Sequence, residues 1–277
     1  MFLIRLLLAL ALLGAGCAAG RSQFVPGEPS KEDAVRLDAP AETVVLIYNH
    51  GSGQEFIPDP CEPAGGDASE WSVPSVLSNL SGTRVAGKVI AVYGYCTPSR
   101  VGEYRHAERS GEPKVVKRAR EIAMLADRFA ALGVPRRQIF LAGHSAGAWA
   151  SLLVARQGPG RFNAVIAFGP AFAGRRETRP PGWEWLRGTQ VLNLSAATRI
   201  DALIFAFEGD PYEPPEDVAF LRQIPGVELV VLSGTRIDGV SCGGRSPHLT
   251  DRKPCFHATQ GSRIRDYIER RLQVAER

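Results

Sequence analysis

The sequence lacks several patterns that are typical of particular classes of protein. It contains no internal repeat, no block of basic residues within its net charge of +4, and no Cys-x-x-Cys or His-x-x-x-His spacing. The sequence therefore predicts neither a nucleic-acid-binding surface nor a metal site. Its 277 residues, 44% hydrophobic and 22% charged, instead predict one globular domain with a large core.

The N-terminal apolar run is too short to cross a membrane as a helix. It extends from Leu6 to Leu13 behind a basic residue and leads into small residues, which is the pattern of an export signal. Residues 14–17, Gly-Ala-Gly-Cys, resemble a bacterial lipobox that would leave Cys17 lipidated and tethered to a membrane, although a glycine stands where that pattern prefers leucine. Ordinary cleavage one or two residues further on and an uncleaved short anchor are the alternatives. The segment predicts an exported protein that is periplasmic, membrane-anchored or secreted.

Apolar segments of strand length alternate with amphipathic helical patterns along the chain. Continuous apolar strands are typical of a parallel sheet that is buried on both faces. The predicted strands are Thr43–Tyr48, Lys88–Tyr93, Gln138–Ala142, Phe162–Phe168, Asp201–Phe207 and Val227–Leu232. The predicted helices are Trp71–Leu80, Val115–Leu132, Ala148–Arg156 and a terminal helix that begins near Ser262.

Four cysteines besides Cys17 stand in segments rich in proline and glycine, which are typical of loops. An even number of cysteines in an exported protein predicts disulfides. We expect the pairs Cys61–Cys96 and Cys242–Cys255, because each joins segments that should meet at the same rim of the sheet.

The stretch from Ile139 to Trp149 contains Gly-His-Ser-Ala-Gly between an apolar strand and a helical pattern. This context is that of a nucleophile elbow, in which the serine lies at a sharp turn and the glycines prevent backbone clashes. The pattern predicts Ser145 as a nucleophile. The N–H of Ala146, at the start of the helix, is a predicted oxyanion donor.

The chain from about Thr43 to Leu272 resembles the α/β-hydrolase superfamily, with some similarity to dienelactone-hydrolase-like esterases. The resemblance implies a mostly parallel sheet with helices on both faces, and the short segment after Phe168 implies a small lid or none. The expected organisation is an export signal over 1–17, a flexible tether over 18–39 and a single α/β-hydrolase domain over 40–277.

The resemblance implies further site residues. The His50-Gly51-Ser52 segment follows the first strand, where the superfamily places its second oxyanion donor, so the Ser52 N–H is predicted in that role. We expect His50 itself to hydrogen-bond nearby backbone. Asp210 follows a later strand, where the triad acid stands, and Glu208 is its substitute.

Two histidines compete for the base, which in this superfamily lies in the loop before the terminal helix. With a helix start near Ser262, His257 is the closer of the two, and Cys255 beside it fixes the loop. We therefore predict His257 as the base and keep His248 as the alternative. His144, inside the elbow, is expected to pack.

Three residues are weaker candidates for substrate binding. Tyr95 and Arg100 follow a strand at its carboxyl end, where open α/β sheets place ligands. Trp183, in the segment after Phe168, either forms a wall of an acyl pocket or packs that segment onto the body.

The expected activity is hydrolysis of a small carboxylic ester through an acyl-enzyme, with no metal or organic cofactor required. The same triad also serves peptidases, thioesterases and acyltransferases, and a non-catalytic binding lipoprotein on a hydrolase scaffold is the alternative from another class. The substrate and the oligomeric state stay open.

Overall fold

The computed structural model describes residues 23–26, 37–51, 73–96, 114–179, 181–244 and 246–274. Its strands are β1 Gln23–Pro26, β2 Thr43–Asn49, β3 Arg84–Val85, β4 Lys88–Cys96, β5 Ile139–His144, β6 Ala164–Phe168, β7 Ala202–Glu208, β8 Val227–Ser233, β9 Arg236–Ile237 and β10 Val240–Ser241. Its α-helices are α1 Ser75–Ser78, α2 Lys114–Ala131, α3 Ala146–Gln157, α4 Trp183–Ser195, α5 Pro215–Val218 and α6 Pro254–Val274. Cys17, Ser52, Cys61 and Arg100 lie outside the described residues, so the predictions that depend on them have no structural outcome.

One mostly parallel sheet organises the domain. Its strand order is β1-β4-β2-β5-β6-β7-β8, and the short β3 pairs antiparallel with β4. The chain moves from β2 outward to β4 and then returns across β2 to β5, so the direction of winding reverses between β2 and β5. In open α/β sheets, ligands bind beyond the carboxyl ends of the strands at this switch point.

Helices cover both faces of the sheet because its strands are apolar on both sides. On β2, Val45 and Ile47 face the core that α2 and α3 complete, whereas Val44 and Leu46 face the core that α1 and α6 complete. All four side chains are fully buried. The predicted fold class is thereby confirmed.

All six predicted strands are present, and the helices differ from prediction at their ends. The terminal helix α6 begins at Pro254, well before the expected start near Ser262. Between β6 and β7 the chain forms a 3₁₀ turn, Arg176–Thr178, and helix α4, which was not predicted. Gln23–Pro26, within the expected tether, pairs with β4 as an edge strand.

A disulfide between Cys242 and Cys255 ties the segment after β10 to the start of α6, as predicted. Closing a loop of this length contributes on the order of 3 kcal/mol by restricting the unfolded chain. Among the described helices, none is long and apolar enough to cross a membrane.

Candidate active site

Ser145 has the strained backbone that the elbow prediction requires. Its φ is 54° and its ψ is −121°, a conformation that costs a residue with a side chain about 1–3 kcal/mol. Backbone hydrogen bonds hold it: Ser145 N donates to Phe168 O at 3.0 Å, and Ser145 O accepts from Trp149 N at 3.0 Å and Ala171 N at 3.2 Å. The strain is therefore fixed by β6 and by the helix that follows.

The two glycines of the elbow allow a close approach of backbones. A Cβ on Gly143 would lie 2.6 Å from Ala148 N, and one on Gly147 would lie 2.2 Å from Asn49 O and 2.5 Å from His50 O. These distances exclude a side chain at either position. The start of α3 is thus pressed against the end of β2.

Hydrogen bonds lock that contact. Asn49 Nδ2 donates to Ser151 Oγ at 3.0 Å, and Ser151 Oγ donates to Gly147 O at 2.8 Å. The buried Arg118 of α2 donates to His50 O at 2.7 Å. His50 Nδ1 donates to Gly51 O at 2.6 Å, which confirms its expected bond to nearby backbone. His50 and Gly51, which follow β2, are therefore fixed beside the elbow.

The Ala146 N–H lies at the start of α3, where the sequence predicts an oxyanion donor. Ala146 is the first residue of α3, so its N–H has no carbonyl to bind within the helix. The positive end of the helix dipole adds to its attraction for negative charge. Its role in catalysis stays a prediction, as does that of Ser52.

Asp210 and His248 form a buried pair beyond the carboxyl ends of the strands. His248 Nδ1 donates to Asp210 Oδ2 at 2.7 Å, and Tyr212 N donates to Asp210 Oδ1 at 2.8 Å. A Cβ on Gly169, which follows β6, would lie 3.4 Å from both Asp210 Oδ2 and His248 Nδ1. Because the carboxylate holds the proton on Nδ1, Nε2 is left as the acceptor that a general base needs.

Asp210 pairs with His248 and not with His257, the predicted base, and which histidine serves Ser145 stays a prediction. Pro254 begins α6, so His257 lies in the first turn of that helix, where its N–H donates to Lys253 O at 3.2 Å. The loop before the helix ends earlier than predicted, and its histidine is His248, in the 3₁₀ turn Pro247–Arg252. A proline at the first position of a helix is a start signal, and it would have placed His257 inside the helix and His248 in the loop before it.

Glu208, the substitute acid, ends β7 as an exposed residue, whereas Asp210 is 3% exposed. Among the described residues, Ser145 Oγ makes no hydrogen bond with His248. A hydrogen bond between these two side chains stays a prediction, because catalytic contacts are often long without substrate and shorten in a reacting complex.

One aromatic ring packs on the pair, and other aromatic side chains pack the segment after β6 onto α3. The ring of Tyr212 lies 4.3 Å from that of His248, and the guanidinium of Arg175 lies 5.6 Å from the Tyr212 ring. Trp183 packs on Phe172 at 6.3 Å, and Phe172 packs on Trp149 of α3 at 4.7 Å. These contacts support the packing alternative for Trp183.

Tyr95 is buried beneath the end of β2 and its hydroxyl donates to Glu121 of α2. Its ring stacks with that of His50 at 6.3 Å. Tyr95 therefore packs beside His50 at the end of β2, and its role in substrate binding stays a prediction.

A second histidine–aspartate pair lies behind the first and was not predicted. His144 Nδ1 is 3.2 Å from Asp251 Oδ1, and both side chains are fully buried. The His144 ring lies 4.7 Å from the His248 ring. Burial lowers the pKa of His144. Burial would raise the pKa of Asp251, but His144, Arg252 and His248 together outweigh it, and the pKa of Asp251 is lowered. At neutral pH the pair is therefore a neutral imidazole facing a carboxylate.

Burial also holds the pKa of His50 well below its usual value, and the Arg118 charge adds to this effect. Within the described residues, no group of three or more metal-ligating side chains occurs.

No known protein family profile matches this sequence, and no curated protein matches it. Solved structures do. A Mycobacterium tuberculosis puromycin-hydrolyzing peptidase is similar with a TM-score of 0.53 and 14% identity over 82% of this chain and 34% of its own. A prolyl endopeptidase is similar with a TM-score of 0.51 and 16% identity over 87% of this chain and 35% of its own.

A thermophilic esterase from Thermogutta terrifontis is similar with a TM-score of 0.44 and 17% identity over 90% of this chain and 81% of its own. By contrast with the esterase, the two peptidases are longer proteins, and this chain spans about a third of their length. At these identities the likeness to the peptidases establishes the fold, and the resemblance predicted from the sequence is confirmed at that level.

Proposed function

We propose that this protein, which has the α/β-hydrolase fold, is a serine hydrolase that cleaves a carboxylic ester. The observation that supports it most is the combination of a strained serine at the elbow with the buried Asp210–His248 pair beyond the carboxyl ends of the strands. Strain and buried ionisable pairs cost stability, and they persist together chiefly at functional sites.

In the proposed mechanism, His248 Nε2 removes the proton of Ser145 Oγ as the oxygen attacks the substrate carbonyl. The Ala146 N–H, with that of Ser52, stabilises the oxyanion. The imidazolium then protonates the leaving alkoxide as the acyl-enzyme forms. Water, deprotonated by His248, releases the acid and restores Ser145.

Asp210 fixes the ring of His248 and stabilises its protonated form. Burial at 3% exposure strengthens this effect, because the carboxylate acts in a low dielectric. The Tyr212 ring packs on His248, with ring centroids 4.3 Å apart.

Peptide hydrolysis is the second candidate. It is favoured by the similarity to the two peptidases, whose TM-scores exceed 0.5, although this chain corresponds to only a third of their length. Assays with p-nitrophenyl acyl esters of increasing chain length, beside peptidyl p-nitroanilides, separate the two candidates.

The catalytic assignment predicts a sharp contrast between the two histidines. Ser145→Ala and His248→Ala should each lower kcat by at least about 10⁴-fold, because the triad acts as a unit. His257→Ala, the matched control, should retain kcat within about threefold. Ester turnover by each variant, with fluorophosphonate labelling of Ser145 in the wild-type protein, measures this.

Full activity in the His248 variant would reject the assignment of the base. Absence of a Ser145 adduct in folded wild-type protein, under conditions where a control esterase reacts, would reject the hydrolase proposal and favour a binding protein.

We also propose that the protein is exported. The Cys242–Cys255 disulfide supports this, since such bonds persist in oxidising compartments. The mass of the mature protein tests the route: a diacylglyceryl adduct on Cys17 indicates a membrane-tethered lipoprotein, and a chain that begins after it indicates ordinary cleavage. A full-length cytosolic product would contradict export.

A further inference from the structure

The turn that carries His248 is held from two directions. It is the 3₁₀ segment Pro247–Arg252, in which His248 and Asp251 are three residues apart. His248 bonds to Asp210, which follows β7, and Asp251 faces His144, which ends β5. Two different strands of the sheet therefore fix the position of one short turn.

The second of these contacts begins at the residue beside the nucleophile. His144 directly precedes Ser145, so the Asp251–His144 pair joins the turn of the base to the strand of the nucleophile. The 4.7 Å separation of the His144 and His248 rings places the two imidazoles in van der Waals contact. A shift of Asp251 would move His248 relative to Ser145.

Further bonds tie the same turn and its flank to the sheet. Arg252 donates to the hydroxyl of Tyr48 in β2 at 2.5 Å, and Lys253 Nζ donates to Gly234 O at 3.1 Å. These contacts fix the far end of the turn. The Asp251–His144 pair is the one that reaches the elbow.

Stability alone does not account for a carboxylate at this place. A fully buried ion costs several kcal/mol of desolvation, and a buried pair is often no better for stability than apolar side chains of equal volume. The groups that compensate this charge are His144, at 3.2 Å, and Arg252, at 3.9 Å. The desolvation cost of such a pair is expected where the position and charge of its side chains contribute to a functional site.

We propose that Asp251 and His144 are positioning residues that hold His248 at the nucleophile elbow and stabilise its protonated form. The inference rests on the proposed function, because it assigns the pair a task in the same reaction. Neither residue touches the reacting atoms; both act through His248.

Asp251→Asn tests the proposal. It should lower kcat by about 10- to 100-fold, because small displacements of a base are costly, while KM stays within about threefold. Rates are expressed per active site titrated with a fluorophosphonate, so a loss of folded protein does not count as a loss of kcat. If Asp251→Asn does not fold, His144→Gln keeps a donor for the carboxylate and is measured in the same way.

The pH profile adds a readout that a purely structural role would not change. Among the described residues, the titratable and charged groups around His248 are Asp210, Tyr212, His144, Asp251 and Arg252. Removing the negative charge of Asp251 disfavours the imidazolium of His248, so the acid limb of kcat/KM should move to lower pH. The double variant His144→Asn with Asp251→Asn should be about as active as either single variant, as expected of a coupled pair.

Asp201→Asn is the matched control, since it also removes a carboxylate from an ion pair, with Arg271, but before β7 at the amino end of the strands. It should leave kcat per site within twofold. The proposal is overturned if Asp251→Asn behaves like this control and its acid limb does not move. A wild-type protein without activity would instead reject the proposed function.

Discussion

The two ends of the sheet treat polar side chains differently. At the carboxyl ends of the strands, the Asp210–His248 and Asp251–His144 pairs are almost completely buried. At the amino ends, Asp201 pairs with Arg271 and Arg199, and the side chains of the two arginines are 18% and 60% exposed. Solvent reaches one set of charges and is excluded from the other.

The difference teaches where this fold departs from its most stable form. Exposed ion pairs contribute about 0–1 kcal/mol, so the amino end is nearly neutral for stability. The desolvation of buried ions and the backbone strain of Ser145 together cost several kcal/mol of free energy of folding. The carboxyl end therefore needs stabilising contacts from the residues around it. The hydrogen bonds of Asn49, Ser151 and Arg118 provide that support.

The largest predicted effect is that of Gly147→Ala at the elbow. Its Cβ would lie 2.2 Å from Asn49 O, a backbone atom that cannot rotate away, so β2 and α3 would have to separate. We expect a loss in the free energy of unfolding on the order of 5 kcal/mol, or failure to fold. Urea denaturation measures it.

Gly261→Ala in α6 is the control, because a Cβ there meets nothing within 4 Å. Alanine in place of glycine inside a helix should raise stability by roughly 0.5–1 kcal/mol. If both variants lose stability equally, close approach at the elbow is not the cause.

The sequence was sufficient for the fold because the strands are continuous apolar runs. Such runs are buried on both faces, and their order in the chain, alternating with helices, determined the parallel sheet. Helix α4 was missed because Trp185 and Leu192 remain exposed on it, so it lacks the periodic apolar face by which helices are recognised.

The parts of the candidate site that depend on backbone geometry could be predicted from the sequence. The parts that depend on which side chains contact each other in the folded chain were harder to predict. Gly143 and Gly147 marked the elbow because no other residue fits there. The partner of Asp210 depended on where α6 begins, and a periodicity counted from Ile264 placed that start too late. Asp251 carried no sequence signal, since only the folded chain brings it to His144.

A smaller predicted effect is a loss of stability at acidic pH, caused by buried histidines at the carboxyl ends of the strands. Burial lowers the pKa of both His50 and His144, so below pH 6.5 the unfolded chain binds protons that the folded chain does not. Their contribution to stability is thus complete above the unfolded pKa of about 6.5 and is lost as pH falls toward the folded values. Asp251, whose pKa is also lowered, affects stability only below about pH 4, outside this window.

Between pH 7 and pH 5 the free energy of unfolding should therefore fall by up to about 4 kcal/mol, or about 2 kcal/mol for each histidine that stays neutral. Denaturation curves across this range measure the slope. His144→Asn should flatten it, whereas Asp201→Asn at the amino end should change stability by less than about 1 kcal/mol and leave the slope as it is. An equal slope in wild type and His144→Asn would mean that the buried imidazole of His144 takes up its proton without a loss of stability. The two ends of the sheet would then not differ in the pH dependence of their stability, although they differ in burial.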